Sequence, residues 1–562
     1  MKSKWKQELF LILAIYLFVA SIYFLFPSMP DWDWFNYRAF NCFSFLTDRF
    51  NTDFIPTNMR TCINPIVDIP SYLLMFKLQN HPIMFVLISL LDSTVFLYCL
   101  IKIITFIFKE TKEKTATITL SVLYIVFLPT LLLQTYFDQN DIKIAAITII
   151  GFYIFIKNIF EKNSKTRNLM FFICGIFLGI ATGLKLTAFS SLISLPIIIL
   201  LLLKKIENPW KILSYYICGA IISFSILDGY WLYKVFAKYN NPFFPYFNDI
   251  FKSEYADRIR LADKDWAYNE LPQNFYDFVF YPFIHAISSD NYSKDCRNII
   301  NYISVLILLP TALFRHKNTS ETFANTISYG NLYLIILLMS LPCIFNLIIF
   351  ANERYVISST ALGGILFATL LCFLFGKMKH SRIFIYLFGL ILLLSIHINT
   401  NYGIINKFDK NLFEKIKTES FTTFQTNNMN FQDNSVVIFA NSGVSATVIQ
   451  QNPNVKYVSL FYPKEIFDKY YEKIKQQDKT VDSYTFFSKY GEKYCQDLIS
   501  NNSNIYLILA KEDYSEMVND VLDFYNKDRS RKITDCKDID VSVLGEKLNH
   551  FKYCKFNRKW LF

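Results

Sequence analysis

Chemistry-bearing side chains gather first where an apolar N-terminal run gives way to Pro27-Ser-Met-Pro-Asp31-Trp32-Asp33-Trp34-Phe-Asn36-Tyr37-Arg38. Two carboxylates at such a boundary can accept a proton from a hydroxyl or hold a cation. The plainer alternative is an aromatic belt of Trp32, Trp34 and Tyr37 with incidental acids. A second acidic stretch reads Gln134-Thr-Tyr-Phe-Asp138-Gln-Asn-Asp141-Ile-Lys143. Asp138 and Asp141 are three apart and share a face if helical. At a helix N-terminus, Asp141 would also complement the helix dipole. The sharper expectation is that Asp141 meets Asp33. Together they would make an acid–base pair or a divalent-cation site for Mg or Mn, with Asp31 and Asp138 as fallbacks.

Lys185 is the least expected residue. It stands in Gly183-Leu-Lys185-Leu-Thr187, midway along the apolar stretch 169–203. A charge at membrane depth is costly and marks function by default. Anion binding is the expected role, with pairing to an acid as the alternative. If the stretch turns there, Lys185 reaches the membrane boundary. Gly175, Gly179 and Gly183 recur at every fourth position before it, a small face suited to close helix packing. Arg354, in Asn352-Glu353-Arg354-Tyr355, offers a planar fork for phosphate or an interface anchor. The stretch Asn241-Pro-Phe-Phe-Pro245-Tyr-Phe-Asn248 reads either as a surface-docking element or as a rigid turn.

These residues need a scaffold. Of 562 residues, 53% are hydrophobic and 18% charged, which excludes disorder and argues against a soluble enzyme. Apolar runs at 9–26, 82–101, 115–133, 143–157, 169–184, 186–203, 212–233, 299–314, 327–350, 355–375 and 382–398 predict about eleven transmembrane helices. Loops around Lys102–Lys114, Lys157–Arg167, Lys204–Lys211, Arg315–Lys317 and Lys377–Arg382 carry the positive charge. The loops between them carry little, apart from Arg354. This alternation puts the N-terminus in the cytoplasm, and loops 27–81 and 234–298 with the tail outside. The net charge of +11 is therefore a topology signal, and no nucleic-acid partner is expected.

The tail is polar. Strand-like runs at Val436–Ala440, Lys456–Tyr462 and Asn504–Ala510 alternate with helical stretches at Pro463–Gln476 and Tyr514–Asn526. The expected fold class is thus mainly α: a polytopic membrane domain over 1–400 and a small soluble α/β domain over 401–562. In an oxidising compartment, Cys42 and Cys62, or two of Cys495, Cys536 and Cys554, can pair. A phosphate-binding GxxxxGK[ST] loop, a HExxH zinc motif and a GxSxG nucleophile elbow are all missing from the sequence.

Acids after the first span, an acid in the second outer loop and an outer tail together resemble the GT-C superfamily of integral-membrane glycosyltransferases. More narrowly, Asp31-Trp-Asp33-Trp-Phe-Asn36-Tyr37, Asn64-Pro65-Ile-Val-Asp68-Ile-Pro70, Gly183-Leu-Lys185 and Asn241–Asn248 resemble motifs of bacterial membrane proteins grouped with those enzymes. The resemblance covers roughly 1–400. One departure is that this group tends to have His where this chain has Arg38. The resemblance implies a bacterial cytoplasmic-membrane enzyme that takes a sugar from a polyprenyl-phosphate-linked donor. The acceptor would be a glycan, lipid or protein on the outer face. Asp33, or else Asp31, would activate the acceptor or hold a metal with Asp141. Lys185, Arg354, Asn36, Tyr37 and Asp138 would contact substrate. Competing readings are a transporter or flippase of lipid-linked glycans, a polysaccharide polymerase or ligase, and a scaffold that presents the tail.

Overall fold

A computed structural model describes residues 2–25, 33–256, 272–288, 297–315 and 322–399, with short breaks at 112, 129–130, 133–138, 162–164, 273, 324–325, 351 and 379. Beyond these it describes 414–417, 419, 423–425, 431–439, 454–459, 493–494, 497–498, 504–510, 536–543 and 546–556. Asp31, Asp138, Cys495 and the two helical stretches expected in the tail lie outside the described residues.

The chain forms two compact units. The first comprises Met1–Ser28, Leu87–Gly229 and Ala267–Asp409; the second comprises Met29–Val86, Tyr230–Trp266 and Lys410–Phe562. The division differs from a single boundary at residue 400: the first long loop and residues 230–266 group with the tail, and their aromatic residues complete its core.

The first unit is helical: α1 (Lys2–Leu25), most of α4 (Pro82–Ile107), α5 (Lys114–Val126), α6 (Asn140–Asn158), α7 (Lys165–Leu184), α8 (Phe189–Leu201), α9 (Pro209–Leu227), α12 (Phe275–Ser288), α13 (Arg297–Arg315), α14 (Tyr329–Ile349), α15 (Ile357–Thr360), α16 (Gly363–Phe375) and α17 (Ser381–Asn399). Each apolar run that predicts a span contains a helix among its described residues. The count of eleven spans is nevertheless corrected. Among the described residues six helices are long and apolar enough to cross a membrane, or seven if the pair Glu353–Thr360 and Gly363–Phe375, bent by 47°, is one span. The shortfall is physical: at 1.5 Å per residue a 13-residue helix such as α5 advances only about 20 Å, against a hydrocarbon core of about 30 Å.

The glycine face of α7 does what its spacing implies. A Cβ on Gly175 would stand 2.0 Å from the Tyr216 carbonyl oxygen, and one on Gly179 2.4 Å from that of Ala220. Across the contact, a Cβ on Gly219 would stand 2.2 Å from the Phe172 carbonyl oxygen. Helices α7 and α9 thus meet backbone to backbone.

The second unit is built on a six-stranded sheet, β3 (Thr423–Gln425), β4 (Ser435–Phe439), β5 (Lys456–Ser459), β6 (Asn504–Ala510), β7 (Cys536–Val543) and β8 (Glu546–Phe556), in the order β3-β7-β8-β6-β4-β5. Strand β4 is parallel to both neighbours; the other pairings are antiparallel. The sequence Ser-Val-Val-Ile-Phe is buried throughout, as a central strand covered on both faces requires. Alternate residues serve two cores. Val436 and Ile438 pack with Phe50, Phe54, Trp231, Val235 and Tyr239, while Val437 and Phe439 pack with Phe40, Tyr457 and Tyr506. Phe54 extends the sheet edge, its N–H donating to the Tyr457 carbonyl at 2.9 Å. Cys536 and Cys554 stand opposite each other on β7 and β8 and form a disulfide; Cys42 and Cys62 are not joined by one.

Candidate functional site

Helices α6 and α7 are neighbours joined by a short connection, and their register fixes the site. Gly151 of α6 faces Leu178 of α7, and the Cys174 thiol meets the Gly151 carbonyl at 3.3 Å. Asp141 lies ten residues before Gly151 and Lys185 eleven after Cys174. At 1.5 Å per residue both intervals advance about 15 Å, so an antiparallel pair brings Asp141 and Lys185 to one level. Lys185 follows the last residue of α7 in an extended conformation, before a 3-10 turn at Leu186–Ala188. The helix break frees its side chain to turn towards α6.

The Lys185 ammonium donates to Asp141 Oδ1, and to Asn140 Oδ1 at 3.0 Å. The other oxygen, Asp141 Oδ2, lies 3.4 Å from Arg354 Nε. Arg354 comes from a 3-10 turn, Glu353–Val356, placed between α14 and α15. The Asn352 side chain caps that turn by accepting from the Arg354 N–H, and Asn346 donates to the Asn352 carbonyl at 2.9 Å. Asn298 Nδ2 donates to Glu353 at 2.6 Å. Ser358, just beyond, donates to the Ala145 carbonyl at 3.0 Å and so ties the turn to the first part of α6. The ring of Tyr355 lies 5.0 Å from the Lys185 ammonium and 5.4 Å from the Arg354 guanidinium carbon.

Asp141 and Asn140 are buried; Lys185 is mostly buried, and the Arg354 side chain is 35% exposed. Two cations therefore converge on one buried carboxylate. Such a group can receive an anion, with Asp141 and Tyr355 holding the two donors in place. The expected acid or metal-ligand role for Asp141 is revised to a positioning one. Its two oxygens already face cations, and that donor set does not fit Mg or Mn. Among the described residues no three of His, Cys, Asp and Glu gather as a metal site.

Asp33 belongs to the second unit and precedes a π-helical turn, Trp34–Arg38, that leads into α2 (Ala39–Leu46). Short π-helical segments are frequent at functional sites. Asp33 is partly exposed, whereas Asn36 and Tyr37 are buried. Burial pushes the Tyr37 phenol well above its ordinary pKa, and the Asp33 charge raises it further. Tyr37 is thus a neutral hydroxyl at any physiological pH.

The structure joins two motifs that the sequence left apart. Arg38 donates to Asp68 Oδ1 from Nε at 2.9 Å and from a terminal nitrogen at 2.5 Å, with both side chains nearly inaccessible. The position where His was expected thus carries a structural cation for the Asn64–Pro70 stretch. Sequence reasoning also missed Arg49. Its Nε and a terminal nitrogen donate to the two oxygens of Asp53, whose Oδ1 accepts the Tyr457 N–H at 3.0 Å. The i, i+4 spacing was the available signal for that pair. The stretch Asn241–Asn248 is a rigid turn: the two Asn side chains bond to the Tyr246, Ser253 and Ala256 carbonyls, and Tyr239 stacks on Phe244 at 4.2 Å.

No protein-family model matches the chain, and no curated protein matches it in sequence. Among solved structures it is similar to ArnT from Cupriavidus metallidurans, crystallised with undecaprenyl phosphate. The alignment spans 97% of each chain at 10% identity, with a TM-score of 0.48.

Proposed function

We propose that the chain is a GT-C-type glycosyltransferase of a bacterial cytoplasmic membrane, transferring a sugar from a polyprenyl-phosphate-linked donor to an acceptor on the outer face. The observation that carries the reading is the triad in which Lys185 and Arg354 share Asp141. In the transfer, an acceptor oxygen forms a bond to the anomeric carbon as the bond from that carbon to the phosphate oxygen breaks. The electron pair leaves on the phosphate, and the acceptor proton passes to a base. The state between is oxocarbenium-like, so the developing phosphate charge is what neighbouring cations stabilise. Lys185 and Arg354 take that role.

Outer-face placement has two supports. Lys- and Arg-rich loops alternate with loops of little positive charge, which marks the basic side as cytoplasmic. The Cys536–Cys554 disulfide suits an oxidising compartment for the tail.

The test uses the full chain in vesicles with undecaprenyl phosphate as the probe. Wild type is expected to retain the lipid, and Lys185→Ala and Arg354→Ala each to weaken retention about tenfold or more, the equivalent of one charge-assisted contact. Unchanged retention in both variants would refute the phosphate role. Retention without sugar transfer from any polyprenyl-phosphate sugar supplied would move the reading to a lipid-glycan transporter.

A further inference from the structure

Glu353 and Arg354 are neighbours in one 3-10 turn but reach different helices of the helical unit. Three residues make a 3-10 turn, so adjacent side chains leave it about 120° apart. Arg354 reaches Asp141 on α6, and Glu353 reaches Asn298 on α13. The bonds from Asn352 and Asn346 hold the turn to its own stretch of chain. The bond from Asn298 Nδ2 to Glu353, at 2.6 Å, spans 55 positions and ties the turn to a distant helix, right beside Arg354.

The Asn298 end of this tie is itself fixed. Asn298 lies in the first turn of α13. On α5, the Tyr124 hydroxyl lies 2.8 Å from Asn301 Oδ1 and 3.1 Å from the Arg297 carbonyl oxygen, so it holds that first turn. Tyr124 is fully buried and its ring stacks on Phe367 of α16 at 5.0 Å. Gly363 makes room for the arrangement, since a Cβ there would stand 2.0 Å from Asn301 Oδ1. Arg354 is less tightly held at its far end. Its 3.4 Å approach to Asp141 Oδ2 is longer than the roughly 2.7–2.9 Å of a tight charge-assisted bond. A small shift of the turn therefore carries the guanidinium with it. A neutral amide also suits position 298: it holds the carboxylate without placing another cation beside the anion site.

We propose that Asn298 is a positioning residue of this site, which through Glu353 sets where the turn presents Arg354 to the lipid phosphate. The inference rests on the phosphate-binding reading of Lys185 and Arg354. Asn298 acts through Glu353 and the turn, without touching the reacting groups.

The experiment measures retention of undecaprenyl phosphate by the full chain in vesicles. Asn298→Ala is expected to weaken retention about fivefold, the scale of one hydrogen bond. Glu353→Ala removes the same bond from its other end and should match, which keeps the test open if Asn298→Ala does not fold. Glu353→Gln keeps an oxygen that can accept from Asn298 and should retain lipid within about twofold of wild type. In an Arg354→Ala background, Asn298→Ala should cost nothing more, whereas in a Lys185→Ala background its fivefold effect should persist. Wild-type retention by Asn298→Ala and Glu353→Ala, beside weakened retention by Arg354→Ala, would overturn the proposal and leave the phosphate reading standing. An undiminished effect of Asn298→Ala in the Arg354→Ala background would also overturn it, by showing that Asn298 acts elsewhere. Unchanged retention by Arg354→Ala itself would remove both the role of Arg354 and that of Asn298.

Discussion

The two units treat buried charge in opposite ways. In the sheet-bearing unit, Arg38 meets Asp68 and Arg49 meets Asp53, and all four side chains are nearly inaccessible. In the helical unit, Lys185 and Arg354 both meet Asp141, and Arg354 keeps a third of its surface open. Matched pairs closed off from solvent fix a loop's shape. Cations that stay partly open can still meet an anion. The exposure of the cation therefore separates scaffold from candidate site.

The sharpest way to break this distinction is to remove the partly open cations. Lys185→Ala and Arg354→Ala are expected to lower sugar transfer by about 10²- to 10³-fold, the scale of losing one donor to a developing oxyanion. Thermal unfolding of the detergent-solubilised chain should move little. If transfer survives while the melting midpoint falls, the triad is scaffold and the distinction fails.

The matched pairs should behave in reverse. Asp68→Ala leaves Arg38 buried without its carboxylate and is expected to cost about 3–5 kcal/mol. The double change Arg38→Met with Asp68→Leu should restore most of that stability, because an apolar pair of similar volume needs no compensation. Denaturation midpoints of the single and double variants decide the matter. A double variant as unstable as the single one would give the pair a role beyond mutual compensation.

A smaller effect is expected from the cross-strand disulfide. Cys536 and Cys554 are separated by 18 positions, and closing a loop of that size stabilises by about 3 kcal/mol in the chain-entropy account. Cys536→Ser with Cys554→Ser should lower the unfolding midpoint of the sheet-bearing unit and leave lipid retention through Lys185 unchanged. Loss of retention would show that the helical unit's site depends on the sheet.

How much of this was legible beforehand depends on the kind of signal. Glycines spaced by four announced the α7–α9 contact because backbone approach has a simple period. Lys185 announced itself by cost, since an ammonium in an apolar stretch needs a partner. Pairing with an acid was its alternative role, Asp141 was singled out as a partner of Asp33 instead, and Arg354 was flagged for its fork. That the three meet depends on the register of α6 against α7 and on the turn after α14, which no local pattern encodes. Strands β4, β5 and β6 were readable from alternation and β-branched runs. Strands β7 and β8 were not, because Cys-Lys-Asp-Ile-Asp-Val-Ser-Val and Glu-Lys-Leu-Asn-His-Phe mix charge into both faces. The reuse of two loops as the core of the tail domain was also hidden. Phe50, Phe54 and Trp231 look like membrane-belt aromatics until the sheet they cover is seen.

A third arrangement of charge in the sheet-bearing unit yields the subtlest test. Lys238, on α10 (Gly229–Tyr239), directs its ammonium to the carbonyls of Phe50 and Asp53, the latter at 2.7 Å. Burial pushes its pKa down to about 8, against smaller opposing contributions from Cys62 and Asp53. Below pH 8 both the folded and unfolded chains hold this proton, and the cost of burying the charge is fully present. Between pH 8 and the ordinary lysine value near 10.4 the folded chain has released the proton while the unfolded chain keeps it, so stability rises with pH in that window. Cys62, pushed up to about 12 by its own burial, stays protonated when folded but ionises when unfolded from its ordinary value upward, so it lowers stability with rising pH in wild type and variant alike, and the difference between the two chains removes it. Lys238→Met lacks the titrating group. The stability of wild type minus that of Lys238→Met should therefore climb from pH 8 to pH 10, by about 1 kcal/mol per pH unit at most. A flat difference would mean that the two carbonyls hold the ammonium charged. The buried cations of this unit would then be satisfied by dipoles as completely as by carboxylates, leaving the cations around Asp141 as the ones among those compared that stay partly open.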